Sequence, residues 1–412
     1  MKISIIIPTR ERAMYLGASI RTALDIDDAD IEVIVADNAS TDGTRAVVEG
    51  IDDPRLIWLP STRRMSMREN FNRALCASSG DYLLFIGDDD AVLSVQFRFL
   101  RRILETRRPD GVSWFKATYG WPIEGYGKKT GGIRFYREDA YGAPVGYDPH
   151  DDLEALMLCR LGALNPTPAI YHGCVSRAFL DHIAPTPGVY FDSMIPDVNF
   201  QFRSIYQGGN FLHTRHPFSI NGYGPASTGG AHAAPKKGSP GEKIGQSFEA
   251  ENRTDPFADI IDHALSVQLV YFATLETLRE RAGLPEPAPS YGDWYQFALT
   301  AIRIKPEDAG RINAILSAHA ERTGTLEDLT RARGMSARAK RTLSERLTRV
   351  LSQLSSFRLS AEMEGVNTVL SATQVYDAVL GADYGAVLDG SLSTAAAWRA
   401  ARRRSRGFTR QL

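Results

Sequence analysis

The sequence predicts an α/β protein: a mostly parallel sheet flanked by helices, followed by an all-helical C-terminal domain. Three observations lead there. Short apolar runs alternate with helical spacings through the first half of the chain, and strand–helix alternation with short connections builds parallel sheets with right-handed crossovers. One run, Tyr82 to Ile86, is apolar without a break, the pattern of a strand buried on both faces. From about Asp255 strand signals fade and Ala, Leu, Arg and Glu take over.

Ile3 to Ile7 reads as strand one, stopped by Pro8. Leu16, Ile20, Ala23 and Leu24 then recur on one helical face. Ile31 to Ala36 is strand two and ends at Asp37; the polar turn Asn38 to Thr44 offers Asp42 or Thr44 as a helix cap. Leu56 to Leu59 is strand three, closed by Pro60, and Met67, Phe71, Ala74 and Leu75 again show helical spacing. Strand four, Tyr82 to Ile86, runs through Gly87 into Asp88, Asp89 and Asp90, and Val92 to Leu104 is apolar enough for a buried helix. Gly111–Phe115, Ile170–Val175 and Gly209–Thr214 read as further strands, whereas Tyr119 to Tyr147 reads as loop. Ile195, Val198, Phe202 and Ile205, with Pro196 suited to a first turn, predict a helix that starts beside Asp197. The expected organisation is a catalytic domain over 1–235, a flexible linker over 236–255, and a helical domain over 256–412 with a basic tail.

A length of 412 residues favours two domains. The formal net charge of −1 gives no global pull toward nucleic acid or anionic lipid. Cys76, Cys159 and Cys174 form no C-x-x-C pair, which argues against a disulfide framework or structural zinc and fits a reducing compartment. No run approaches the roughly 18 apolar residues of a membrane span, so a cytoplasmic protein is expected. Strand one leads into Pro8-Thr9-Arg10-Glu11-Arg12 rather than G-x-G-x-x-G, and no G-x-x-x-x-G-K-[ST] occurs. A dinucleotide-binding dehydrogenase and a P-loop enzyme are therefore disfavoured.

The aspartate triplet carries the chemistry. Three adjacent carboxylates at the end of a buried parallel strand lie where open α/β sheets bind ligands. Hard oxygen donors there suit a divalent cation; an Asp-rich helix cap is the alternative.

With these residues laid out, the first ~230 positions resemble an inverting family 2 glycosyltransferase of the GT-A fold. The likeness rests on Ile5-Ile6-Ile7-Pro8-Thr9-Arg10, on Asp37-Asn38-Ala39-Ser40-Thr41-Asp42-Gly43-Thr44, on Asn72-Arg73-Ala74 with Gly80-Asp81-Tyr82, and on Asp88-Asp89-Asp90 as a D-x-D motif. The family usually carries an aspartate where this chain has Gly87. The resemblance implies a nucleotide-sugar donor, a UDP-sugar first among them, and Mn²⁺ or Mg²⁺ beside its diphosphate. Asp90 is the first choice of metal ligand and Asp88 the second, with Asp89 turned away; His232 in the Gly-rich run Asn221–His232 is a further candidate. Thr9, Glu11, Asp37, Arg68, Asn72 and Asp88 are the expected donor-binding residues. Asp197 resembles the family's base, which takes the acceptor hydroxyl's proton; at a helix start the dipole is expected to hold it ionised and weakly basic.

The acceptor implied is a glycan or a lipid-linked glycan in polysaccharide or cell-envelope synthesis. The alternative is a non-catalytic nucleotide-sugar or glycan-binding module. Six arginines between Arg399 and Arg410, with Trp398 and Phe408, suit either a peripheral contact with anionic membrane or a solvated tail. Nothing upstream supports nucleic acid as a partner.

Overall fold

The computed structural model describes residues 1–123, 130–163, 167–224, 240–284, 286–335 and 356–411. Its main sheet has eight strands: β1 (Ile3–Thr9), β2 (Ile31–Asp37), β3 (Leu56–Leu59), β4 (Tyr82–Phe85), β6 (Gly111–Trp114), β9 (Val145–Tyr147), β10 (Gly173–Ser176) and β11 (Phe211–Thr214). Their spatial order is β3-β2-β1-β4-β10-β6-β11-β9. The predicted parallel core is present: β1 pairs in parallel with β2 and β4, and β2 with β3. Beyond it the sheet is mixed, because β10 runs antiparallel to both β4 and β6. β1 passes through Pro8 instead of stopping there. β4 pairs with β1 only as far as Ile6, so the missing proline N–H falls where one flank has no ladder to lose.

Helices α1 (Ala13–Leu24), α2 (Thr44–Glu49), α3 (Met67–Ala77), α4 (Ser94–Arg107), α5 (Leu153–Met157), α6 (Arg177–Ile183) and α7 (Pro196–Gln207) flank the sheet. Successive side chains of a strand point to opposite faces, and β1 feeds two cores accordingly. Ile5 and Ile7 pack with α1 and α4, whereas Ile6 packs with Phe71, Phe85 and Phe200.

The register of β4, which delivers the aspartates, is pinned at its start. Ser4 Oγ donates to Glu32 at 2.6 Å and accepts from Gly80 N at 2.9 Å, and Ser79 N donates to Glu32 at 2.6 Å. Burial opposes the Glu32 charge, but Lys2, Ser4 and Ser79 outweigh it and hold the carboxyl down at about 2. Gly80 has to be glycine: a Cβ there would stand 2.5 Å from Ser4 Oγ.

Two expectations are corrected. The stretch read as loop from Tyr119 to Tyr147 contains strand. β7 (Ala117–Gly120) and β8 (Gly132–Phe135) join β5 (Ala91–Val92), β12 (Ser219–Tyr223) and β13 (Phe357–Ser360) in a second sheet, ordered β13-β8-β7-β12-β5. These strands are two to five residues long, too short for a period to show in sequence.

The expected helical domain over 256–412 is also divided. Helices between Val267 and Gly334 share a core with Val198, Phe202 and Ile205 of α7. Residues from Phe357 onward return to the first core, where β13 pairs with β8 and Tyr376 stacks on Phe135 at 4.2 Å. The expected linker is helical over Pro240–Asn252. In the basic tail, Trp398 is buried 5.4 Å from Phe357, and Arg404 is tied to Val379 O, Leu380 O and Asp383. Trp398 is therefore core, while Arg399, Arg402, Arg403 and Arg406 remain exposed. No helix among the described residues is long and apolar enough to cross a membrane.

Asp377, on the returning helix Val369–Leu380, tests that packing. It accepts from Gln96 Nε2 at 3.0 Å and Val95 N at 3.2 Å, and burial raises its carboxyl from 3.8 to about 6. The folded state then holds this proton more tightly than the unfolded chain. Its contribution is best at low pH, declines between about 4 and 6, and costs up to about 3 kcal/mol above that. Asp377→Asn is expected to raise stability at pH 7.5 by about 1–3 kcal/mol and flatten that slope. Urea unfolding at pH 5 and 7.5 reads it; lower stability of the variant at pH 7.5 would show that the ionised form's hydrogen bonds dominate.

Candidate active site

A cleft of about 1210 Å³ opens at the carboxyl ends of β1 and β4. Its walls include Thr9, Arg10, Glu11 and Arg12 after β1, Asn38 after β2, the aspartate triplet after β4, and Asp197 at the start of α7. Tyr223, helix Pro240–Asn252 with Lys243 and Glu251, and Val267, Val270 and Tyr271 complete it. Arg10 pairs with Glu251 across the opening. Thr9, Glu11, Asp88, Asp90 and Asp197 of the expected residues are thus brought together.

The three aspartates have different environments. Asp90 is turned into the protein. Its Oδ1 accepts from Gly222 N at 2.8 Å, and its Oδ2 accepts from Gly87 N at 2.7 Å and from the Tyr171 hydroxyl, with His172 Nε2 facing the same oxygen at 3.0 Å. Behind it, Trp114 Nε1 donates to Ser219 Oγ at 2.8 Å, and Ser219 lies 2.8 Å from His172 Nδ1. Burial opposes the Asp90 charge, but these donors hold its carboxyl below the ordinary range. Burial also lowers the His172 imidazole, so the pair is a carboxylate beside a neutral ring. Asp90, the expected first metal ligand, thus accepts from Gly222, Gly87 and Tyr171.

Asp88 accepts from Thr9 Oγ1 at 2.7 Å and from Arg12 Nη1 at 2.9 Å. Arg12 Nη1 also lies 3.5 Å from Asp89 Oδ2, so one guanidinium spans both carboxylates. Asp89, expected to be turned away, lines the cleft, and its backbone carbonyl accepts from Trp121 Nε1 at 2.9 Å. Burial raises the Asp88 carboxyl, with Arg12 opposing; burial likewise works against the Arg12 charge, but Asp88 and Asp89 prevail and strengthen it.

Two glycines make this corner possible. A Cβ on Gly222 would stand 1.7 Å from Asp89 O. At Gly87 it would meet the Tyr171 hydroxyl at 2.6 Å and Asp90 Oδ2 at 2.8 Å. The aspartate that the resembling family usually carries at Gly87 has no room here.

Asp197 sits in the first turn of α7, after Pro196, and remains open to the cleft. The protein around it raises its carboxyl above the ordinary range, the Val198 amide and Lys116 opposing. At this helix start the dipole works against that rise.

Other expected donor contacts have structural duties. Glu11, at φ 53°, accepts from Thr41 N and Asp42 N at 3.0 and 3.1 Å and so fixes the turn after β2. Asp37 accepts from Ser40 N at 3.1 Å, the turn-aspartate arrangement; its neighbour Asn38 reaches the cleft and clamps Met65 through both main-chain groups. Arg68 is buried against Asp255, with Nε 2.9 and 3.0 Å from its two oxygens, and its guanidinium lies 4.5 Å from the Phe257 ring centroid. Asn72 Nδ2 donates to Gly188 O at 2.9 Å and its Oδ1 accepts from Tyr190 N at 2.7 Å. Asp37, Arg68 and Asn72 are not among the described residues that wall the cleft. His232 lies outside the described residues. Arg12 and Tyr171 are site residues that no local pattern marks, since the partners of Arg12 lie 76 residues or more away.

The carboxyl-end edge of an open α/β sheet, where this cleft lies, is where such sheets bind their ligands. Residues 4–145 match glycosyl transferase family 2, so this part of the chain is similar to that family. Over 96 residues the chain is 35% identical to the GalNAc(5)-diNAcBac-PP-undecaprenol beta-1,3-glucosyltransferase of Campylobacter jejuni, covering 23% of this chain and 31% of that protein. Over 113 residues it is 29% identical to abequosyltransferase RfbV of Salmonella typhimurium, covering 26% and 34%. The chain thus spans about a third of the length of these relatives. Among solved structures it is similar to S. aureus TarS 1-349 in complex with UDP, at 15% identity and a TM-score of 0.44, over 83% of this chain and 95% of that one.

Proposed function

We propose that the protein is an inverting glycosyltransferase that moves a sugar from a nucleotide-sugar donor, a UDP-sugar first, to a glycan or lipid-linked acceptor. The observation that carries this reading is one cleft, in and beside the stretch that matches family 2, that holds both the Asp88–Asp89 pair and the carboxylate of Asp197. Asp197 takes the proton of the acceptor hydroxyl as its oxygen attacks the anomeric carbon, and the bond to the donor diphosphate breaks on the opposite side. Charge then accumulates on the leaving diphosphate, and Arg10, Arg12 and Lys243 lie on the cleft wall to meet it.

A divalent cation fits the donor set. Asp88 and Asp89 offer hard carboxylate oxygens at the cleft, and the Arg12 guanidinium already stands between them as a cation. Among the described residues no group of three or more acidic, His or Cys side chains is arranged to hold a metal; Mg²⁺ sites commonly combine one or two carboxylates with substrate phosphates. When bound, Mn²⁺ or Mg²⁺ would neutralise charge on the diphosphate. The lipid-linked acceptor follows the undecaprenol-linked substrate named for the Campylobacter relative. The exposed arginines Arg399, Arg402, Arg403 and Arg406 support a peripheral contact with anionic lipid at the cytoplasmic face.

A thermal-shift screen of UDP-, GDP-, dTDP- and CMP-sugars, with and without Mn²⁺, tests the donor. One nucleotide class is expected to stabilise the protein by about 2.7 kcal/mol at a hundredfold excess over its Kd, and Asp89→Asn should abolish the increment due to Mn²⁺. No shift with any nucleotide sugar would sink the reading.

A further inference from the structure

Arg12 faces both the carboxylate pair and the cleft. It is the residue before α1, its side chain is 14% exposed, and its backbone is outside the helical region at φ −137° and ψ 35°. Its carbonyl accepts from Tyr15 N and Leu16 N, which anchors its backbone to the start of α1, and its side chain lies in the cleft wall. Its Nη1 reaches both Asp88 and Asp89, so it occupies the place where their charge is shared.

We propose that Arg12 is the built-in counter-ion of Asp88 and Asp89, that a divalent cation takes its place between them, and that the displaced guanidinium then pairs with the donor's diphosphate. This rests on the metal-assisted reading above. Two carboxylates at 4% and 8% side-chain exposure cannot be left unpaired without a large desolvation cost, and Arg12 meets that need. A guanidinium and a divalent cation between the same two carboxylates repel one another, so the two compete. A diphosphate resolves the competition, because its oxygens accept the freed guanidinium in a bidentate pair. The cation then binds poorly alone and better with the donor.

The direct probe is Mn²⁺ by itself, titrated into the full chain and followed by the EPR signal of the free ion. Arg12→Gln is expected to bind Mn²⁺ about tenfold more tightly than the wild type, as removal of a neighbouring positive charge predicts, and Mn²⁺ should raise its Tm by more. Asp89→Asn is the control for ions held elsewhere. In the wild type, phenylglyoxal labelling of Arg12, read by peptide mass mapping, should increase when Mg²⁺ is added; this needs no variant and decides the matter if Arg12→Gln fails to fold. Mn²⁺ bound with equal or lower affinity by Arg12→Gln, or labelling of Arg12 indifferent to Mg²⁺, overturns the exchange and leaves the metal site standing. No Asp89-dependent Mn²⁺ binding in either protein removes the metal site and the exchange with it.

Discussion

Replacing Asp197 with Asn is expected to lower turnover about 10²- to 10⁴-fold, the usual worth of a positioned general base, with donor affinity unchanged. Asn keeps the shape and can still orient a hydroxyl, but it accepts no proton. Because the Asp197 carboxyl is raised by its surroundings, the wild-type rate should fall as pH drops through a value above the ordinary aspartate range. The deprotonated form is the active one, so the slope is positive with pH, and it should vanish in the variant. Steady-state rates across pH with a donor chosen by the thermal-shift screen measure both. A non-catalytic binding module predicts the same donor affinity and no turnover to lose. Unchanged turnover in an active preparation would remove Asp197 from the mechanism.

Arg68→Ala is expected to cost about 3–5 kcal/mol of stability, the price of stranding one member of a buried ion pair. The Arg68 and Asp255 side chains are 5% and 0% exposed, and Ser66 Oγ donates to the same carboxylate. That cluster joins the start of α3 to the segment leading into the C-terminal helices, so unfolding of the two parts should become less cooperative. Arg68→Met combined with Asp255→Leu should recover most of the loss, since apolar replacements remove both charges together. Denaturant unfolding of the three variants tests this. Weakened nucleotide binding at wild-type stability in Arg68→Ala would instead return Arg68 to the donor site.

The difference between Asp197 and Arg68 also shows what the sequence makes legible. β1, β2 and β4 are readable because strands buried on both faces are mostly apolar, the Ser4–Glu32 pair being satisfied internally. The placement of Asp197 is readable because Pro196 and the spacing of Val198, Phe202 and Ile205 announce a helix start. Arg68 has an equally clear helical position, yet its role is set by Asp255, 187 residues away. The surroundings of Asp90 are hidden in the same manner. The donors that draw it inward come from Tyr171 and Gly222, 81 and 132 positions along, and a local pattern carries no trace of them. The second sheet was invisible for a related reason: β8 and β13 pair across more than two hundred residues, and neither strand is long enough to declare itself. Fold class follows from local periodicity, whereas which carboxylate faces the cleft follows from contacts made at a distance.

The late return of β13 to β8 bears on how the protein comes to be folded at all. During synthesis the aspartate triplet emerges early, but β13, at 357–360, is delivered only after the intervening helices. Closing a loop of that length carries an entropic cost that must be met before the pairing gives anything back. Until then β8 presents an unpaired edge, the feature that makes nascent β-structure prone to stray association. A ribosome-bound chain halted before residue 357 should therefore be more readily captured by chaperones than one halted after the strand has emerged.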